Sequence, residues 1–218
     1  HLCCWAGLMG RQDRVDLLLE AIRVFIHVRG RRDTRFVLLG EGECLAELRE
    51  RVSDLDLDAW VGFPGFLCEA DLFTYYATAD VGLDASLQVE VSPVKVVEYM
   101  AFGMPVVAFD LPETTPLLTG AGVVVPPGDV VGLADALGAL LDDPQRARSL
   151  GERGAARVAE ELGWEHQART YVTAIERIAR RPVAVGGTRA PRSGSGALRS
   201  ARDRPVATHP PHARPGTE

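Results

Sequence analysis

The stretch EVSPVKVVEYMAFGMPVVAFD, residues 90–110, contains one complete helix and the strand that follows it. Ser92 and Pro93 are typical of a helix start, because serine caps free amides and proline suits the first helical turn. Gly103 suits the position just after a helix end. We therefore predict a helix over 93–102, followed at once by a buried strand in the apolar run MPVVAF.

The same alternation of helix and strand continues on both sides of this unit. Apolar runs predict six buried strands, at residues 2–6, 35–40, 59–63, 80–84, 104–109 and 121–126. Segments of helical periodicity are found at residues 13–29, 43–53, 69–79, 93–102, 129–142, 144–161 and 164–180. This alternation predicts an α/β fold, a doubly wound parallel sheet covered by helices on both faces. Ligands bind such sheets at the carboxyl ends of the strands, so we expect a site in the loops that follow them.

The composition excludes several classes of protein. The chain has 218 residues, of which 46% are hydrophobic, and this suits one domain with a full core. A formal net charge of −6 argues against binding nucleic acid through a global positive field. The sequence contains no apolar run long enough to span a membrane. The four cysteines lack the spacing of metal ligands, so we interpret them as reduced thiols of a cytoplasmic protein.

The composition changes at Arg181. Residues 181–218 contain few large apolar side chains and many Pro, Gly and Ser, with seven arginines against Asp203 and Glu218. Such a segment cannot repay the entropy of ordering, so we predict a folded domain over 1–180 and a disordered tail after it. The basic charge of the tail leaves contact with acidic lipid or nucleic acid open, although a solvated tail is the simpler interpretation.

Lys95, in the first turn of the predicted helix, is the only lysine; the other 23 of the 24 basic residues are arginine. The helix dipole disfavours a cation there, but a bound phosphate would reverse that preference, because free amides at a helix N-terminus attract anions. Glu98 lies three residues further and shares a face with Lys95. A surface ion pair would explain both residues. The rest of this helix is largely apolar, however, and leaves little solvated surface for such a pair.

Two glutamates, Glu90 and Glu98, indicate which chemical groups would be attached to such a phosphate. A carboxylate accepts two hydrogen bonds from a vicinal diol, such as that of ribose. We assign this role to Glu98. Glu90 lies in the loop before the helix, where it can face hydroxyls on a group attached to the phosphate. The order of carboxylate, cationic helix start and carboxylate therefore suits a sugar, a diphosphate and a ribose, which together make a nucleotide-sugar.

Residues 90–110 resemble the E-x7-E region of the retaining glycosyltransferases of the GT-B fold, the glycosyltransferase group 1 family. Further segments that resemble this family are VLLGEGE (37–43), WVGFPGFL (60–67), ATADVGLDAS (77–86) and VVVPPGDVVGLADALGALLDDP (123–144). The resemblance covers about residues 3–180 and implies the C-terminal, donor-binding half of a GT-B fold, with the N-terminal acceptor domain absent from this chain. It also implies sugar transfer from a nucleotide-diphosphate sugar to a glycan or lipid-linked acceptor, without metal or cofactor and with peripheral membrane contact.

The resemblance implies a role for each matching position. Glu98 would hold the donor ribose, whereas Glu90 would contact the donor sugar and Lys95 would face the diphosphate, both as catalytic residues. The other positions implied in substrate binding are Gly7, Arg11, Phe66, Leu67, Ser92, Pro93 and Val94.

The loop after the first strand departs from the family pattern. The family has G-R-x4-K here, with two cations for the leaving diphosphate, whereas this chain has Leu8 and Asp13 at those positions. Stabilising the charge that develops on a leaving group is central to transfer. We expect Lys95 or a nearby arginine, Arg11 or Arg14, to compensate, although neither arginine is in register.

Two alternatives stay open at this stage. One is a non-catalytic nucleotide-sugar-binding module, or a truncated remnant. The other is a nicotinamide-binding domain, which is disfavoured because GEG (40–42) does not continue as GxGxxG. The D-x-D pattern within DLDLD (54–58) suggests a metal site, but it precedes a strand and so lies at the wrong edge of the sheet.

Overall fold

The computed structural model describes residues 1–90 and 92–180, so Val91 and the tail predicted as disordered lie outside the described residues. Contacts between Cα atoms unite His1–Ile178 into one compact unit. The strands are β1 (Leu2–Ala6), β2 (Arg35–Leu39), β3 (Val61–Gly65), β4 (Val81–Asp84), β5 (Val106–Phe109) and β6 (Gly122–Val125). The α-helices are α1 (Val15–Arg23), α2 (Leu45–Asp54), α3 (Glu69–Thr78), α4 (Val94–Ala101), α5 (Thr114–Leu118), α6 (Val130–Leu141), α7 (Pro144–Arg157) and α8 (Trp164–Ala179).

The six strands form one parallel sheet in the order β3-β2-β1-β4-β5-β6. All six predicted strands are present, and the predicted doubly wound α/β fold is confirmed. From β1 the chain runs outward through β2 to β3, and then returns to the other side of β1 with β4. The loops after β1 and β4 therefore diverge at the carboxyl edge of the sheet, which is where a ligand crevice opens in folds of this kind.

Successive residues of β1 point to opposite faces of the sheet, as the strand period requires. Cys3 and Trp5 belong to the core that α1, α2 and α6 cover. Cys4 and Ala6 belong to the core beneath α3 and α4. All four side chains are buried, and a fully buried large apolar side chain contributes about 1.5–3 kcal/mol. The carboxyl end of β1 is thus held firmly between two packed layers.

Helix α4 starts one residue later than the sequence predicts. The predicted N-cap, Ser92, is wrong, because the helix begins at Val94 with Pro93 as its N-cap. The physical reason is local: the Val94 amide donates to the Ser92 carbonyl oxygen at 2.9 Å, and no capping hydrogen bond from a side chain is formed.

The end of α4 agrees with the prediction. Gly103 follows the helix with φ of +69°, a conformation that glycine adopts without steric cost. The Gly103 amide donates to the Met100 carbonyl oxygen at 2.9 Å, and the Met104 amide donates to the Tyr99 carbonyl oxygen at 3.0 Å. This pair of bonds is the Schellman arrangement, which satisfies carbonyls that a helix end leaves free.

The segment predicted as one helix over 13–29 is divided in the structure. A 3-10 turn (Arg11–Asp13) comes first, α1 follows, and a π-helical turn (Val24–Val28) completes the segment. Arg14 separates the 3-10 turn from α1, because its φ of +50° is incompatible with a continuous right-handed helix. Asp13 therefore lies in the loop after β1, beside the cavity described next, and not inside a helix.

Candidate functional site

A cavity of about 860 Å³ opens where the order of the strands reverses. Its walls come from the loops after β1, β2, β3, β4 and β5, from α3 and from the first turns of α4. Small-molecule and cofactor sites typically have volumes of about 300–1,000 Å³. The cavity therefore lies where the loops were expected to converge, and it is large enough for a nucleotide-sized ligand.

Close backbone contacts join the loops after β1, β2 and β3 into one wall. The Gly7 amide donates to the Leu39 carbonyl oxygen at 3.0 Å, and the Gly40 amide donates to the Gly65 carbonyl oxygen at 3.0 Å. Gly40 has φ of +128°, and a Cβ at this position would overlap the Gly7 carbonyl oxygen. Only glycine fits there, because both the conformation and the available space exclude a side chain.

A cluster of Asp13, Asp84 and Lys95, which we call the lysine cluster, contributes charge to the cavity. The Lys95 Nζ atom lies 3.6 Å from Asp13 Oδ1 and 3.6 Å from Asp84 Oδ1. The side chains of Lys95, Asp13 and Asp84 are 15%, 13% and 4% exposed. Nζ also lies over the Trp5 ring, 4.6 Å from its centroid, in a cation–π contact. The single lysine of the chain is therefore fixed among buried partners.

The lysine cluster leaves the ammonium able to meet a further anion. A charge-assisted hydrogen bond spans about 2.7–2.9 Å, so the two 3.6 Å separations are ion pairs without hydrogen bonds. An ammonium has three donors, and neither carboxylate oxygen lies within hydrogen-bond distance of the Lys95 Nζ atom. A phosphate oxygen in the cavity would take up donors that the two carboxylates do not use.

A second group, Tyr76 and Glu98, which we call the tyrosine–glutamate pair, lines the same cavity. The Tyr76 hydroxyl donates to Glu98 Oε2 at 3.0 Å. Burial, and then the charge of Glu98, raises the pKa of Tyr76 well above its usual range, so this hydroxyl stays a donor at neutral pH. Glu98 thus has a neutral donor as its partner, whereas Lys95 has two carboxylates.

Tyr99 connects the end of β1 with the tyrosine–glutamate pair from inside the core. Its hydroxyl oxygen accepts a hydrogen bond from the Ala6 amide at 2.7 Å, at the end of β1. Its ring meets the Tyr76 ring edge to face, with centroids 5.3 Å apart and an interplanar angle of 88°. A Cβ at Gly82 would lie 2.5 Å from the Tyr99 ring. Glycine at position 82 is therefore a requirement of this packing.

Apolar side chains at the cavity are unusually exposed. Leu8, Phe66 and Val94 line it and are 64%, 79% and 62% exposed. The Phe66 amide donates to Glu41 Oε1 at 3.4 Å, so a carboxylate lies beside this exposed ring. Exposed apolar groups around a cavity are typical of surfaces that a ligand or another protein covers.

The structure brings most of the predicted site residues together. Eight of the ten line the cavity: Gly7, Phe66, Leu67, Ser92, Pro93, Val94, Lys95 and Glu98. Glu90 is exposed and is not among the lining residues. Arg11 lines a separate, smaller cavity, with its guanidinium 3.3 Å from Glu47, and Arg14 lines the same cavity and pairs with Asp16. The binding roles of all ten residues stay predictions.

The cavity residues that sequence reasoning missed include Asp84, Tyr76 and Glu41. Asp84 was identifiable, because a carboxylate that ends an apolar strand needs a partner once it is buried. Tyr76 was identifiable in part, since a buried tyrosine hydroxyl usually finds a hydrogen-bond partner. No sequence signal marks Glu41. Its position depends on Gly40 and Gly42, which allow the loop after β2 to lie close to the loop after β1.

The part of the chain that the structure describes offers no cluster of three or more His, Cys, Asp or Glu side chains suited to a metal ion. The DLDLD segment (54–58) lies at the amino side of β3, and Asp58 accepts a hydrogen bond from the Ser53 hydroxyl at 2.8 Å. None of the helices described in residues 1–90 and 92–180 combines the length and the apolar character needed to cross a membrane.

The sequence model of the family described as glycosyl transferases group 1 matches residues 1–143. The chain belongs to the glycosyl transferases group 1 family. The resemblance seen in residues 90–110 is thereby confirmed. Membership also sets aside the nicotinamide-binding alternative, because the matched region includes the whole cavity wall.

Curated relatives of this group 1 chain include mannosyltransferases. A GDP-mannose-dependent monoacylated alpha-(1-6)-phosphatidylinositol monomannoside mannosyltransferase of Corynebacterium glutamicum is 32% identical over 173 residues, which are 75% of this chain and 44% of the relative. A GDP-mannose-dependent alpha-(1-6)-phosphatidylinositol monomannoside mannosyltransferase of Mycolicibacterium smegmatis is 33% identical over 190 residues, 76% of this chain and 48% of the relative. The chain thus spans less than half the length of these two relatives.

Solved structures of glycosyltransferases share the fold of this group 1 chain. Sucrose-phosphate synthase from Thermosynechococcus elongatus matches with a TM-score of 0.72 and 26% identity, over 82% of this chain and 45% of that protein. Anabaena Alr3699/HepE in complex with UDP-glucose matches with a TM-score of 0.73 and 20% identity, over 81% and 48%. Such neighbours have the GT-B fold, and the match corresponds to about one half of each.

Proposed function

We propose that this chain is the donor-binding part of a retaining glycosyltransferase, which moves a sugar from a nucleotide-diphosphate sugar to a glycan or lipid-linked acceptor. The observation that carries the proposal is a single cavity whose wall presents Lys95 and Glu98 on one face of α4. The GDP-mannose dependence of the relatives favours GDP-mannose as the donor. UDP-sugars, bound by more distant proteins of the same fold, are the other donors to test.

Each part of such a donor has a counterpart in the cavity. The Glu98 carboxylate would accept hydrogen bonds from the ribose diol. The Lys95 ammonium and the start of α4 would meet the diphosphate, since free amides and the helix dipole favour anions there. The exposed Phe66 ring would cover the base, with Leu67 beside it. Glu90, in the loop before α4, would contact the transferred sugar.

The charge on the leaving nucleotide is the main electrostatic problem of the reaction. Preorganised donors that stabilise such charge usually supply the largest catalytic effect. Lys95 is our candidate for this role, because it is a partly buried cation that lines the cavity. Arg11 and Arg14, the other candidates, line a different cavity and pair with Glu47 and Asp16.

A second domain is part of the proposal. Helix α8 carries a row of exposed large apolar side chains, namely Trp164, Tyr171, Val172, Ile175 and Ile178. Leu8 adds a further exposed apolar side chain at the cavity. Exposed apolar surface of this kind is typical of protein interfaces. We infer that an N-terminal, acceptor-binding domain like the remaining half of the relatives covers these residues, and that transfer needs both domains.

Calorimetric titration of the 218-residue chain with GDP and with UDP tests the donor site. We expect micromolar binding, tighter for GDP. Glu98→Gln should weaken binding about tenfold, because a charged hydrogen-bond acceptor becomes a neutral one. Glu50→Gln, an exposed residue of α2, is the matched control and should bind as the wild type does. A folded wild type that binds neither nucleotide, or a Glu98→Gln variant of unchanged affinity, would contradict the proposal.

A non-catalytic nucleotide-sugar-binding module is the second candidate. It is favoured by the acids Asp13 and Asp84, which balance the charge of Lys95 and would oppose its action on a leaving diphosphate. The two candidates differ once an acceptor-binding domain is supplied. Release of GDP from GDP-mannose would then support the enzyme, whereas tight donor binding without any release would support the binding module.

A further inference from the structure

The Tyr76 side chain is held by aromatic packing on several sides. It is 2% exposed, and its ring meets Tyr99 at 5.3 Å and Phe102 at 5.5 Å, both in T-shaped contacts. Phe73 adds a third ring at 6.4 Å. Rings packed in this way attract each other beyond the effect of their buried area. The position of the Tyr76 hydroxyl is therefore set by the core and not by solvent.

The hydroxyl is the only polar group of this side chain, and it is directed at the cavity. It donates to Glu98 Oε2 at 3.0 Å, across from α3 to α4. Burial raises the pKa of Tyr76, so the group stays a donor through the whole neutral range. A buried hydroxyl without this partner would lose the hydrogen bond that it makes with water in the unfolded chain. The bond to Glu98 is thus strongly favoured in the folded protein.

The bond leaves Glu98 with enough acceptor capacity for a diol. A carboxylate has about four lone-pair positions on its two oxygens, and Tyr76 takes one of them on Oε2. The remaining positions can accept hydrogen bonds from two neighbouring hydroxyls. A glutamate that is free to rotate loses rotamer entropy when a ligand orders it, and this loss weakens binding. A glutamate that is already held by Tyr76 avoids most of that loss.

We propose that Tyr76 is a positioning residue, which fixes the Glu98 carboxylate in the orientation that receives the 2′- and 3′-hydroxyls of the donor ribose. This inference rests on the proposed function, because it takes a nucleotide as the ligand of the cavity. It goes beyond that function by giving a residue outside the predicted site a part in recognising ribose. A purely structural role for Tyr76 would affect all nucleotides alike, whereas a positioning role depends on the diol.

The test compares GDP with 2′,3′-dideoxy-GDP, which lacks both hydroxyls, by calorimetry on the 218-residue chain. Tyr76→Phe removes the hydroxyl and keeps the ring. We expect this variant to bind GDP about tenfold more weakly than the wild type, because the nucleotide must then order a Glu98 side chain that Tyr76 no longer holds. Binding of dideoxy-GDP should be equal for both proteins. The neighbouring Tyr75→Phe is the matched control and should bind both nucleotides as the wild type does.

The outcomes separate the inference from the proposed function. A wild type that binds GDP tenfold better than dideoxy-GDP supports the ribose site, whatever Tyr76→Phe does. If Tyr76→Phe then weakens both nucleotides equally, or neither, the positioning role is overturned and the proposed function stands. A wild type that does not bind GDP or UDP overturns both. Thermal unfolding of Tyr76→Phe, measured beside the titration, identifies a general loss of folding, which would also weaken dideoxy-GDP.

Discussion

Lys95 and Glu98 stand three residues apart on α4, yet the protein holds them in opposite ways. In the lysine cluster, the cation lies between the carboxylates of Asp13 and Asp84. In the tyrosine–glutamate pair, the carboxylate is held by the neutral hydroxyl of Tyr76. The difference fits our proposal that the pair keeps its charge available for a diol, whereas the cluster offsets its charge until an anion is bound.

The largest effect that separates the two groups is expected from Lys95→Ala. Loss of the ammonium should weaken GDP binding about 30- to 100-fold, because a charge-assisted contact to the diphosphate disappears. Lys95→Arg, which keeps the charge, should preserve more than half of the binding free energy that Lys95→Ala loses. Titration of both variants with GDP measures this. Wild-type affinity in Lys95→Ala would mean that the lysine cluster does not face the diphosphate.

The next effect concerns Tyr99, whose ring packs against Tyr76 of the tyrosine–glutamate pair. Gly82→Ala would force a methyl group against the Tyr99 ring, where the Cβ would lie at 2.5 Å. We expect a loss of about 2 kcal/mol in the free energy of unfolding, as for overpacked cores. Urea denaturation measures it, and Gly62→Ala is the matched control, because Gly62 is also a strand glycine and a Cβ there would come no closer than 4.0 Å to a neighbouring atom. Equal losses in both variants would contradict the packing argument.

A smaller effect tests whether Asp13 and Lys95 are coupled. In Lys95→Ala the carboxylates of Asp13 and Asp84 lose the cation between them, so the fold itself should be destabilised. Adding Asp13→Asn to that variant should restore about 1 kcal/mol of the free energy of unfolding, since contacting residues are not additive. In the wild type, Asp13→Asn alone should destabilise. Additive effects in this double-mutant cycle would show that the two residues act independently.

The smallest effect is a loss of stability at alkaline pH, and it concerns buried groups near the tyrosine–glutamate pair. Burial raises the pKa of Cys4 to about 12 and raises the pKa of Tyr76 and of Tyr99 above the usual range. Groups whose pKa is raised on folding stabilise the protein at pH values below their unfolded pKa and lose that contribution as pH rises. We therefore expect Tm to fall above about pH 9, where an unfolded thiol and then an unfolded phenol begin to ionise.

Thermal unfolding between pH 8 and pH 10.5 measures this dependence. Cys4→Ala should show a shallower fall than the wild type, because one buried neutral group has been removed. Cys68→Ala is the control, since Cys68 is an exposed thiol and should leave the slope unchanged. A Tm that is constant over this range would contradict the assigned directions of the pKa shifts.

The fold and the position of the site were predictable because they depend on local pattern. The alternation of apolar runs and helical segments predicts the parallel sheet. The loops that follow its strands predict the edge of the sheet at which the cavity opens. The end of α4 was predictable from Gly103, since few other residues adopt its conformation at low cost. The start of α4 was not, because a local bond from Val94 to Ser92 competes with the serine cap.

The partners of the charged residues were not predictable from the sequence. Asp13 is 82 positions before Lys95, and only the left-handed turn at Arg14 leaves it in the loop beside the cavity. Arg11 and Arg14, on either side of Asp13, line a different cavity. The two arginines that we expected to compensate for the missing cations therefore lie outside the candidate site. Tyr76 contacts Glu98 because α3 and α4 pack together. The spacing of residues within one helix does not predict a contact between two helices.

A titration of Glu98→Gln and Lys95→Ala with GDP and with 2′,3′-dideoxy-GDP is the decisive test of the proposed donor site. We expect Glu98→Gln to weaken GDP binding about tenfold and to leave dideoxy-GDP binding unchanged, whereas Lys95→Ala should weaken the binding of both nucleotides by the same factor. The two residues would then recognise different parts of one donor. If Glu98→Gln weakened both nucleotides equally, or if the effect of Lys95→Ala depended on the diol, that division between ribose and diphosphate would be wrong.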